Sequence, residues 1–167
     1  MPESDLLQIL LSHDRWATAQ VLDACEKLPE DQFHRRFEIG HGSLHDTLAH
    51  MIGAVRALTE TLGGWQPRPR PEGDGRRRTP GQLRALLEES WREYAAEARR
   101  RPPEETVTRT TRDGRTLTMT RAAVFAHLAT LGAHHRAQCL NMLRQLGVTP
   151  LPPSSVAEWT WLADAQA

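Results

Sequence analysis

Apolar residues recur every three or four positions in four long stretches of this chain, each bounded by residues that start or stop helices. In the first stretch Leu6, Ile9, Leu10, His13, Trp16, Ala17, Gln20 and Ala24 share a face, predicting a helix from an N-cap at Ser4 to about Leu28. Pro29 interrupts it, and Pro29 to Phe33 reads as one extra turn with proline at the first helical position. Gly40-His41-Gly42 reads as a connection. Ser43 then caps a second helix whose stripe is Leu44, Leu48, Met51, Val55, Leu58 and Leu62, ending at Gly63-Gly64. His50 lies a quarter turn or more off that stripe, beside Gly53, Ala54, Ala57 and Thr61. Such small side chains leave room for a cavity.

The segment from Gly63 to Arg78, GGWQPRPRPEGDGRRR, is too rich in proline, glycine and arginine for regular structure and is expected to be a long, solvated connection. Thr79-Pro80-Gly81-Gln82 opens a third helix with a capping box, and Leu83, Leu86, Leu87, Trp91 and Tyr94 carry it to about Arg100. Two threonine-rich runs, Val107 to Thr111 and Arg115 to Met119, flank Asp113-Gly114, a two-residue hairpin signal. Thr120 caps the fourth helix, and Gly147 with Pro150 closes it. In the tail, Trp159, Trp161 and Leu162 are expected to fold back. The economical architecture is all-α: a single domain over 1–167, a four-helix bundle with a long crossover between helices two and three and a small β-hairpin before helix four.

Charge narrows the partners. Lysine plus arginine and aspartate plus glutamate each number 21, so no net field recruits nucleic acid or an anionic membrane. The longest apolar run near the start, Leu6 to Leu11, is too short to span a bilayer, and a cytoplasmic location is expected. The local arginines between Arg68 and Arg78 lack interleaved aromatics and suit a solvated loop better than a nucleic-acid surface. Cys25 and Cys139 are too few for a disulfide framework.

The chemistry gathers on the fourth helix. Val124, Leu128, Leu131, His135, Gln138, Cys139, Met142 and Leu146 share its core face, with His127 and His134 at the edge. A histidine on a core face needs partners for its ring nitrogens. A metal would supply one, as would a neighbouring polar side chain, and helical histidines are common enough that spacing alone does not choose.

Ser43-Leu44-His45-Asp46-Thr47-Leu48-Ala49-His50 resembles the second-helix signature of the DinB family. His134-His135-Arg136-Ala137-Gln138, followed by Leu143-Arg144-Gln145-Leu146-Gly147, resembles its fourth-helix signature, and Trp16, the long second connection and the hairpin also match. The resemblance implies a divalent metal, zinc or nickel, held by one histidine from helix two and two from helix four. Those positions fall on His50, on His135 and, four residues earlier, on Leu131, which departs from the family pattern. Two histidines alone would bind metal weakly. Cys139, four residues after His135, is a candidate additional ligand, and Asp46, one turn before His50, a further one. His127 is two turns, roughly 12 Å, from His135 and His134 points sideways, so with Leu131 they read as cavity rim or substrate contacts.

Two functions follow as expectations. One is a metal-dependent enzyme of the thiol-transferase or isomerase type, acting with a low-molecular-weight thiol or other small molecule. The other is a non-catalytic, stress-associated bundle that binds a small molecule or protein in the former metal cavity. A homodimer is implied by the relatives, and Arg136 is expected to anchor the helices through a buried ion pair.

Overall fold

Side-chain caps set where the long helices begin. The computed structural model describes residues 5–110 and 114–164. It contains α1 (Leu6–Cys25), α2 (Glu30–Phe33), α3 (Leu44–Gly63), α4 (Pro80–Arg100), β1 (Thr106–Thr110), β2 (Thr116–Thr120), α5 (Arg121–Gln145) and α6 (Val156–Asp164). Ser43 accepts from the Asp46 amide at the start of α3, Thr79 and Gln82 close a full capping box on α4, and Thr120 accepts from the Ala123 amide on α5. For α1 the cap is Asp5, which accepts from the Leu7 amide; Ser4 lies outside the described residues. That helix ends at Cys25, a turn before the expected Leu28, and Pro29 caps α2 instead of opening it.

Helix α1 packs against α4 and α5, and α3 packs against the same two, so the four long helices enclose one core. Leu44, Leu48, Met51, Ile52, Val55, Leu58 and Leu62 of α3 are buried there, facing Leu83, Leu87, Trp91 and Tyr94 of α4 and Val124, Leu128, Cys139 and Met142 of α5. The buried face of α1 is rotated from the expected one. His13 and Ala17 of the expected face are buried, but so are Leu11, Asp14, Thr18, Val21, Leu22 and Cys25, while Leu6 is 68% exposed. The cause is polar. Asp14 forms a buried ion pair with Arg136 of α5, and Arg136 also donates to the Thr18 hydroxyl, so two hydrophilic residues occupy core positions. Gly132, one turn before Arg136, leaves the space that the Asp14 carboxylate fills. The expected anchoring role of Arg136 is what this geometry provides.

Arg121 ties the far end together. Fully buried, it donates to the backbone carbonyls of Leu62 and Glu97, in the last turns of α3 and α4, which satisfies acceptors that helix ends leave open. The two strands pair antiparallel, with Thr110 opposite Thr116 and Thr106 opposite Thr120. That register is one residue out of step with a two-residue turn at Asp113-Gly114, which would bring residue 112 opposite 115. The turn itself lies outside the described residues. In the tail, α6 packs on α1 with Trp159 against His13, but Trp161 is 71% exposed and does not fold back. No described helix is long and apolar enough to cross a membrane.

The long connection after α3 is irregular, as its composition demands, but much of it is clasped to the helices rather than solvated. The buried carboxylate of Glu60 accepts from Arg68 at 3.1 Å and from Arg70 at 2.5 and 2.8 Å, while Arg68 donates twice more to Glu93 of α4. Burial pushes the Glu60 carboxyl up, yet the hydrogen bonds from Arg70 and Arg68 outweigh it and hold it below the ordinary value. Further on, the Arg78 amide donates to His45 Nε2 at 3.1 Å, pinning the returning chain to α3.

Candidate metal centre

Three imidazoles from three separate segments converge beside a cavity that His41 and His50 line. Among the described residues, His41, His50 and His135 form a group whose ligand atoms all lie within 4.8 Å of one another. His50 comes from α3 and His135 from α5; His41 comes from the loop that leads into α3. The loop reaches the site because of its glycines. Gly40 and Gly42 both have positive φ, 59° and 89°, which a side chain would disfavour. A Cβ at Gly40 would come within 2.8 Å of Gln138 Oε1 and 3.0 Å of Thr47 Oγ1, so glycine lets the backbone approach α5. The Ile39 and Phe37 hydrogen bonds to Gly42 close the turn, and the His41 amide donates to Thr47 Oγ1 at 3.2 Å.

The rings form a graded set: His41 is exposed, His50 half-buried and His135 buried. His41 stacks on His50 with centroids 3.8 Å apart and planes at 26°, while His135 meets His50 edge-on at 4.9 Å. Burial, and then the neighbouring His135, push the His41 imidazole below its usual pKa, favouring the neutral ring that a metal requires. His135 Nδ1 lies 2.8 Å from Gln138 Oε1. Since an amide oxygen only accepts, Nδ1 carries the hydrogen and Nε2 keeps its lone pair. The Gln138 amide in turn donates to His134 Nε2 at 3.0 Å, so one glutamine orients both histidines.

This donor set fits a divalent cation. Two nitrogens bonded to zinc at about 2.1 Å stand roughly 3.4 Å apart at a tetrahedral angle. A group already within 4.8 Å needs only side-chain adjustment to close on an ion. Beside it opens a cavity of about 900 Å³, lined by His41, His50, the small residues Gly53, Ala54 and Ala57, and the outer loop from Trp65 to Glu72. The Glu72 carboxylate occupies the space over Gly53 where a Cβ would sit.

The other candidates fall elsewhere. Leu131 and His127 line this cavity; His134, expected at its rim, is exposed, is not among the lining residues and is bonded to Gln138 instead. Cys139 lies outside the histidine group, fully buried in the core, where burial pushes its thiol up to about 12 and keeps it protonated. Asp46 also lies outside the group, bound to Arg36 at 2.7 Å and His45 at 2.8 Å. The residue that sequence reasoning missed is His41. It has no helical register to reveal it, and the available signal was a histidine between two glycines just upstream of the Ser43 cap.

The fold and the site together define a helical protein with a three-histidine, metal-competent pocket open to a cavity. The chain belongs to the DinB family, whose family model matches residues 1–162. Among solved structures, the chain is similar to a DinB-like protein from Bacillus cereus, at 16% sequence identity and a TM-score of 0.67, over 86% of this chain and 92% of that one. That likeness concerns the fold. A search of curated proteins finds no match.

Proposed function

We propose that this DinB-family chain is a metal-dependent enzyme of the thiol-transferase type, holding zinc or nickel on His41, His50 and His135. The observation that supports it is the arrival of His41 beside the other two imidazoles, which supplies a third nitrogen donor although Leu131 stands at the family's usual position. A divalent cation there would supply Lewis acidity, lowering the pKa of a thiol and holding it beside an electrophile. The chain's own contributions are positional. Gln138 keeps the His135 lone pair directed away from its own amide oxygen, Thr47 holds the His41 loop, and the cavity has room for a low-molecular-weight thiol. His127 and Leu131 form its wall. We read the four long helices as a bundle with the clasped 64–79 segment as its crossover.

Cobalt(II) titration of untagged protein tests the reading. A 1:1 endpoint with visible d–d bands, lost in His50→Ala, is expected, followed by a new near-ultraviolet band on adding a thiol. Absence of a saturable endpoint, or an endpoint unchanged in His50→Ala, overturns it.

A further inference from the structure

The cavity lined by His41 and His50, with the His135 ring beside them, carries three arginines on its wall, and two of them are neutralised. Arg68 and Arg70 are bound to Glu60, and Arg68 also to Glu93. Arg109 differs. It sits on β1, where exposure alternates so that Val107 and Arg109 are half-buried while Thr106, Thr108 and Thr110 are exposed. Val107 packs on the hydrophobic core, so Arg109 stands on the same face of the hairpin, and it lines the cavity together with Thr108 and Thr110. No carboxylate among the described residues pairs with it.

A partly desolvated guanidinium without a counter-charge has lost hydration that nothing in the protein replaces. Its planar set of donors matches a carboxylate or another oxyanion. The cavity thus has two chemically distinct parts: the His41 and His50 imidazoles, which line it beside His135, and one cation from the hairpin that no carboxylate among the described residues pairs with. We propose that the cavity selects a small ligand bearing a carboxylate, gripped by Arg109, with the ligand's thiol directed toward the three-histidine group. The thiol end rests on the metal-dependent reading given above; the carboxylate end does not.

Calorimetry with matched probes separates the two. For zinc-loaded protein, 6-mercaptohexanoate should bind at least about tenfold more tightly than 6-mercaptohexanol, the gain expected of one charge-assisted hydrogen-bonded pair. In Arg109→Gln the two probes should fall within about twofold of each other with mercaptohexanol binding unchanged, and Arg109→Lys should keep part of the preference. Equal binding of the two probes by the wild type, or a preference that survives in Arg109→Gln, overturns the proposal. If zinc does not load, the metal-dependent reading fails and the carboxylate end is decided on metal-free protein by NMR titration with hexanoate and hexanol. Hexanoate-specific shifts that vanish in Arg109→Gln support it. Equal responses to hexanoate and hexanol, or no response, overturn it.

Discussion

Replacing His41 with alanine removes one metal donor at little structural cost. The ring is exposed, so its loss opens no core cavity; it forfeits the 3.8 Å stack on His50, and the fold should change in stability by less than about 1 kcal/mol. The effect on metal should be far larger. Zinc sites with four protein ligands are worth about 10–16 kcal/mol, or roughly 2.5–4 kcal/mol per ligand. At about 1.4 kcal/mol per decade, His41→Ala should weaken zinc binding by about two to three orders of magnitude. Leu131 offers an internal control, because it lines the same cavity one turn before His135, about 6 Å along the helix. Adding Leu131→His to His41→Ala should recover at least about tenfold of the lost affinity by restoring a third imidazole. Competition against a chromophoric chelator measures both variants, with circular dichroism confirming the fold. A dissociation constant for His41→Ala within threefold of wild type would show that the loop histidine is no ligand and refute the reasoning.

Two further predictions concern the scaffold. Asp14→Ala leaves Arg136 charged and buried, so it should cost about 3–5 kcal/mol, whereas Asp14→Leu combined with Arg136→Met should regain most of that; thermal melts decide, and a single-variant loss under 1 kcal/mol would contradict the buried pair. His13 lies 3.0 Å from the Ser154 carbonyl, and burial lowers its pKa below 6.5 despite that bond. The unfolded chain therefore takes up the proton first as pH falls: the His13 contribution is present above pH 6.5 and is lost as pH drops through the folded value. In metal-free protein, His13→Gln should show a smaller decrease in urea midpoint between pH 7.5 and 5 than wild type, and an equal or larger decrease would contradict this sign.

The parts of the fold written in local chemistry were legible: the caps at Ser43, Thr79 and Thr120, and the apolar stripes of α3, α4 and α5. What escaped depends on partners distant in sequence. The face of α1 was legible only at His13 and Ala17, because Asp14 and Thr18 are core residues only by virtue of Arg136, more than a hundred positions away. Arg68 and Arg70 looked solvated because their charges are cancelled by Glu60 and Glu93, which no spacing rule pairs with them. The site was half legible. Periodicity places His135 on a core face, the family resemblance marks both His50 and His135, and the structure brings them together. His41 is placed by two left-handed glycines and a threonine hydroxyl, a loop geometry that hydrophobic patterning does not encode.

Metal content of the purified, untagged protein tests the central claim most directly. After loading with zinc and dialysis, elemental analysis should give about one equivalent per chain for wild type and less than a tenth for His135→Ala, whose ring is the buried member of the group. Less than a tenth of an equivalent in wild type, or the same content in both proteins, would contradict a metal centre built on His41, His50 and His135.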